Sequence, residues 1–264
     1  MDTCPSGCQV EITYNDQRAT VVEVRGGLRL CGVGDRCIFR TFPIDAICDG
    51  VRGLRPSPDP TARPTGSTAS TGSRTKWRSP GPRSTAPSMD SSAGERGRSC
   101  ARRTPGWRWR SGGAGQHPYL SPGVGLVDQC KLQLDAGASI VTYDERQLPT
   151  GAEAIDCTNY DSRESRRSGP MTLDSAFTDL VRGGNGRAWA RLGGTIGRQS
   201  ELWVDESYPT IDLYTGDTLG PGRRRRGLGT EPMPCPTNAV ASGDGLTRLE
   251  PGQSMSTAWG VRLT

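Results

Sequence analysis

From Leu126 to the C-terminus the chain is a succession of short runs rich in β-branched and aromatic residues, each cut off by a turn. No long stretch with a helical period of 3.6 interrupts them. The clearest runs are Leu132–Leu134, Ser139–Tyr143, Ala188–Leu192, Glu201–Val204, Thr210–Tyr214 and Trp259–Leu263. Alternation with a period of two turns one side of each run towards a core and the other towards water. Many such strands separated by Gly and Pro turns specify antiparallel sheets packed face to face, so the expected fold class is all-β, an antiparallel β-sandwich. Gln9 to Thr41 reads the same way, with Val10, Ile12 and Tyr14 alternating before a turn at Asn15-Asp16 and a second run over Ala19–Val24. Asp174 to Leu180 is read as a short helical or loop element.

Residues 51–113 break the pattern. They contain no Ile, Phe or Tyr, and Ser, Pro, Gly and Arg dominate. The formal net charge of +5 belongs to this tract, which carries 13 Lys and Arg against 3 Asp and Glu; the rest of the chain has 20 against 25. Such a composition cannot bury enough apolar surface to offset the entropy of ordering, so the tract is expected to be disordered. The chain therefore divides into N-terminal strands (1–50), a basic low-complexity segment (51–113) and the main part of the sandwich (114–264).

Other classes are set aside by composition. No apolar run approaches the length of a membrane helix. The N-terminus lacks the basic-then-apolar layout of a secretory signal, which makes a cytoplasmic location the expectation. Nine cysteines without paired CxxC spacing, and a single histidine, offer few metal ligands, so free thiols are expected and no metal.

That one histidine is His117, in Gly115-Gln116-His117-Pro118-Tyr119-Leu120. Well downstream stands Glu231, in Thr230-Glu231-Pro232-Met233. Imidazole is the side chain whose ordinary pKa lies near neutrality, and a carboxylate is its natural opposite in proton transfer. Taken singly, each has a plainer explanation. A histidine beside Pro-Tyr is more often a core or surface residue, and Glu231 would be a strand-end carboxylate.

Five blocks in order change that balance. They are Gly115–Gly123, Leu173–Leu180, Trp203–Pro209, Thr215–Leu219 and the run Arg223–Met233 with Asn238-Ala239, followed by Gly245–Gly260 as closing strands. Together they resemble the aldose 1-epimerase (galactose mutarotase-like) family, most closely its bacterial members. The resemblance implies a large β-sandwich, a supersandwich, that interconverts the α- and β-anomers of an aldohexose or related sugar. By the match, Glu231 would take the proton from the C1 hydroxyl while His117 protonates the ring oxygen. The ring opens, C1 rotates, and closure gives either anomer. Asp174 matches the family's sugar-binding aspartate. The implied partner is a monosaccharide, with no cofactor, no nucleic acid and no membrane. Thr230 stands where a larger aliphatic residue is usual, and Arg223–Arg226 is expected to be a solvated loop.

Two family signatures are missing upstream: a Pro-Asn-Arg segment whose arginine reaches the sugar, and a His-Gly segment with a second histidine. Their place is the tract 51–113. Read one base out of frame, with permitted codons, residues 60–72 can encode a Pro-Asn-Arg signature and residues 85–97 a His-Gly one. The hypothesis is a frameshifted gene with some strands deleted, leaving the sandwich incomplete and its activity weak or lost. Sequencing the encoding DNA tests this: a one-base shift should restore both signatures, and failure to do so ends the hypothesis.

Two further readings compete. One is a non-catalytic carbohydrate-binding sandwich that keeps Asp174 and part of the cleft. The other is a nucleic-acid binder using the basic tract, with Trp77, Trp107 and Trp109 as its only stacking residues and an affinity that falls steeply with salt. The oligomeric state is not legible.

Overall fold

A computed structural model describes residues 9–22, 28–38, 73–78, 88–90, 111–112, 115–123, 125–143, 147–250 and 253–264. Among them lie two large antiparallel sheets, faced by one core. The front sheet has six strands, in the order Leu148–Ala154, Ala136–Tyr143, Asp174–Leu180, Thr210–Tyr214, Leu228–Met233 and Tyr119–Leu120. The back sheet has seven, in the order Arg166–Arg167, Lys131–Leu134, Ala188–Gly193, Gln199–Val204, Ser254–Leu263, Ser73–Arg78 and Ser88–Asp90. A four-stranded meander over Gln9–Cys37 precedes them. The sandwich expected from the alternating pattern is the one observed. Among the described residues, helix is confined to one turn at Ala239–Ser242 and a 3-10 turn at Val127–Gln129.

The alternation in sequence becomes alternation in burial. In Ala188–Gly193, Ala188, Ala190 and Leu192 are buried while Trp189 and Arg191 lie on the other face. The front sheet answers with Phe177, Ile211, Leu213 and Leu228, all within the same core. The first hairpin turns at Asn15-Asp16, as expected; Tyr14 pairs with Gln17 and Asn15 takes a left-handed φ of 52°. Asparagine tolerates that region well, which suits a two-residue hairpin.

The outer face of the back sheet explains a buried acid. Glu201 is 2% exposed, yet it meets Arg191 at 3.5 Å and also bonds to Arg262. Beside it Trp203 lies over Gly260, where a Cβ would come within 2.7 Å of the indole, and the guanidinium of Arg187 covers the ring at 3.8 Å. A charge fully paired in this way can be buried without the penalty of an isolated one.

One expectation needs correction. Asp174–Leu180 is a strand, not a helix or loop. It pairs with Ala136–Tyr143 on one side and Thr210–Tyr214 on the other, and buries Ala176 and Phe177. Its Asp, Ser and Thr content is a poor strand signal, but a central position in a sheet overrides local preference. Within 51–113, the described residues Ser73–Arg78, Ser88–Asp90 and Ser111–Gly112 are strands, the first hydrogen-bonded along Ser254–Leu263. Backbone pairing needs no apolar side chain, so composition alone could not reveal it. The rest of the tract lies outside the described residues.

Candidate active site

The front sheet has two faces. Phe177, Ile211 and Leu213 face the core. The register places Asp174, Tyr214, Gly229 and Tyr119 in one row across the other face, and Ala176, Asp212 and Glu231 in the next. His117 joins this face because the segment before Tyr119 runs alongside Leu228–Met233. The Gln116 N–H donates to the Pro232 carbonyl at 3.3 Å, and the Thr230 N–H to the Pro118 carbonyl at 2.9 Å. That zipper sets His117 beside Glu231, 114 residues away in sequence. Nε2 of His117 lies 2.8 Å from Oε1 of Glu231.

The pair is asymmetric in its access to water. The Glu231 side chain is 5% exposed and that of His117 is 32% exposed. Gly229 makes the close approach possible: a Cβ there would sit 3.3 Å from Cε1 of His117 and 3.1 Å from the Tyr214 Cβ. Two tyrosines frame the imidazole. Tyr119 stacks on it with centroids 4.9 Å apart, and Tyr214 meets it edge-on at 6.4 Å. Burial pushes the Tyr119 phenol up, and Tyr214, Glu231 and Asp174 add to this while Arg223 opposes it. Tyr119 therefore keeps its proton and serves as a neutral hydroxyl and a ring wall.

Asp174 is exposed at the start of its strand, where its Oδ2 accepts a hydrogen bond from Gln147 Nε2 at 2.9 Å. The structure thus brings all three residues singled out from sequence onto one face. Imidazole and carboxylate are in direct contact, with no gap between them.

Sequence reasoning missed Asp212, which is 3% exposed and sits directly across from Glu231 in the neighbouring strand. It also gave no role to Tyr119, Tyr214 or Gln147. Period-two alternation could have placed Asp212 and Tyr214 on one face, but which strand lies beside which is not written in that pattern.

The turn 216–227, which joins the strands carrying Tyr214 and Glu231, departs from the expected solvated loop at one residue. Arg225 is buried, with a left-handed φ of 53°. Its guanidinium donates to Asp128 and Asp217 at 2.7 Å and to the carbonyls of Gly169 and Met171 at 3.0 and 3.1 Å. Burial would raise the Asp217 carboxyl, but hydrogen bonds from Thr215 and Arg225 and the charges of Arg225 and Arg224 hold it below the usual range. The four bonds clamp the turn over the end of the sheet. Arg224 and Arg226 are exposed, as expected.

Among the described residues no cluster of three or more His, Cys, Asp or Glu is arranged to hold a metal ion. No helix among them is long and apolar enough to cross a membrane. Cys31, Cys37, Cys130, Cys157 and Cys235 are unbridged thiols, and burial with the nearby Cys37 pushes the Cys31 thiol up to about 11.

No family model matches the chain. Over 144 residues, 53% of its length, it is 30% identical to the uncharacterized protein YihR of Escherichia coli K12. It spans 42% of that relative, less than half its length. Among solved structures it is similar to a galactose mutarotase-like protein from Clostridium acetobutylicum, with a TM-score of 0.65 and 12% identity over 97% of this chain and 95% of that one. It is likewise similar to galactose 1-epimerase from Lactobacillus acidophilus, at a TM-score of 0.64 and 13% identity over 97% and 94%. For a GalM/aldose epimerase homologue from C. elegans the values are 0.62 and 14%, over 97% and 98%. At these identities the likeness establishes the fold, a galactose mutarotase-like β-sandwich.

Proposed function

We propose that the outward face of the front sheet is a monosaccharide site of the aldose 1-epimerase type, with Glu231 as base, His117 as acid and Asp174 as a sugar-binding carboxylate. The observation that carries this reading is the 2.8 Å contact between His117 Nε2 and Glu231 Oε1 on the face that also bears Asp174. A hemiacetal opens readily when the C1 hydroxyl loses its proton as the ring oxygen gains one. Glu231, as carboxylate, accepts the first proton, and His117, as imidazolium, supplies the second. After C1 has rotated, the hydroxyl oxygen that had closed the ring attacks the other face of the C1 carbonyl, returning its proton to His117 while the carbonyl oxygen takes back the proton held by Glu231.

The sugar has to enter between the two groups or beside them, so the pair must part. Asp174, at the rim, accepts hydrogen bonds from ring hydroxyls and orients C1. The upstream arginine and second histidine signatures are absent from the sequence, and poorer positioning of a reactant costs about 10²-fold in rate. Activity is therefore expected to be weak. Polarimetry of freshly dissolved α-glucose or α-galactose tests this: a small acceleration over buffer, proportional to protein concentration, supports the reading. No acceleration and no sugar binding would contradict it.

A second reading, sugar binding without turnover, is favoured by one observation: the acid and base touch each other with no room for a ring between them. Binding of sugar to the wild-type chain with the buffer rate unchanged would select it.

A further inference from the structure

A cavity of about 920 Å³ opens between the two sheets at the opposite end of the front sheet from His117 and Glu231. Its walls are the strands Ala136–Tyr143, Leu148–Ala154 and Asp174–Leu180 on one side, and residues 166–172 on the other. The core-facing side of the front sheet changes character here. Near the middle of the sheet it presents Phe177, Ile211 and Leu213, each 1% exposed or less. Towards the cavity the same side presents Ser175, Ser139 and Glu153, since Ser139 pairs with both Phe177 and Glu153.

Polar side chains turned between sheets are costly unless something satisfies them. Across the cavity Ser168 is 4% exposed, and its Oγ makes no hydrogen bond. The wall that carries it is held firmly. The Ser168 N–H donates to the Cys130 carbonyl at 2.9 Å, and Arg225 grips the carbonyls of Gly169 and Met171. The two arginines of this wall are braces. Arg166 donates to the carbonyls of Asn159 and Asp161, and Arg167 to that of Asp128. At the mouth Tyr160 packs edge-on against Phe177, 5.9 Å between centroids, and remains partly exposed.

We propose that this cavity is a second carbohydrate site, separate from the reaction face, for an uncharged polyhydroxy ligand of monosaccharide to disaccharide size. The volume lies in the range of small-molecule sites. Ser139, Ser168, Ser175 and Asn159 offer hydroxyl and amide partners to a sugar's polar edge. Tyr160, Val141 and Met171 offer apolar contact to its C–H face, as aromatic and aliphatic walls do for amphipathic ligands. With both guanidinium groups engaged by backbone carbonyls and Glu153 present, the site has no dedicated partner for an anion. Adjacent residues of one strand serve the two sites, Asp174 on the reaction face and Ser175 in the cavity. The proposal uses no residue of the reaction face, so it stands or falls apart from the activity.

The test uses the full chain labelled with methyl-¹³C methionine and titrated with sucrose, which has no free hemiacetal and cannot mutarotate. Met171 lines the cavity, whereas Met233 lies beside Gly115 near His117. The Met171 methyl signal should shift saturably, with a Kd in the range of about 1–10 mM, while Met233 stays fixed. Tyr160→Ala and, as a second variant should the first fail to fold, Ser175→Leu should each weaken binding about tenfold or more. A Met171 signal that stays fixed in sucrose, or a shift left unchanged by the substitutions, would overturn the proposal.

Discussion

Replacing Glu231 with glutamine is expected to remove all of the protein-dependent acceleration and return anomer interconversion to the buffer rate, because the base is lost, while sugar binding and stability change little. Glutamine keeps the shape and the hydrogen-bonding oxygen but cannot take up the proton of the C1 hydroxyl. Glu231 is buried in a central pair of strands, with Asp212 opposite it and His117 at 2.8 Å. An isosteric change disturbs that packing least, so a lower rate would report chemistry and not unfolding. Exchange NMR between the anomers of glucose or galactose measures the rate, and a titration with a methyl glycoside measures binding. If the variant accelerates exchange as much as the wild type does, Glu231 is not the base.

Trp259→Ala should be the most damaging core substitution. Trp259 is 1% exposed and is among the largest fully buried side chains among the described residues. It pairs with Val204 on one side and Ser73 on the other, where the strand from the basic tract joins the back sheet. Removing a buried indole costs about 3–5 kcal/mol, against a total stability of about 5–15 kcal/mol for a domain. The urea midpoint should fall accordingly with the slope unchanged. Trp259→Phe should cost less, because Nε1 of Trp259 makes no hydrogen bond that phenylalanine would forfeit. A loss below about 1 kcal/mol in the alanine variant would mean that the indole is not packed as described.

The sandwich was legible because alternation along a strand is a local property. Ala188–Leu192 and Thr210–Tyr214 announce their faces without reference to any other part of the chain. The failures were non-local. Asp174–Leu180 becomes a strand only through its two neighbours, and Asp212 acquires interest only because the register sets it opposite Glu231. Arg225 looked like one of four equivalent arginines; its burial depends on Asp128, 97 residues earlier, and on carbonyls of a separate loop. The face proposed for the reaction was pointed to by ordered blocks of sequence. The contact between its acid and base could not be, since that distance is set by the pairing of Tyr119–Leu120 with Leu228–Met233.

The lone histidine gives the most direct measurement of the central claim. In a sample labelled with ¹⁵N at histidine, every imidazole signal of the folded chain belongs to His117. If His117 and Glu231 form one sugar-responsive pair, the Nε2 resonance should move on Glu231→Gln and move again when the wild type is saturated with a methyl glycoside. An Nε2 resonance indifferent to both would contradict the pairing and, with it, the proposed reaction.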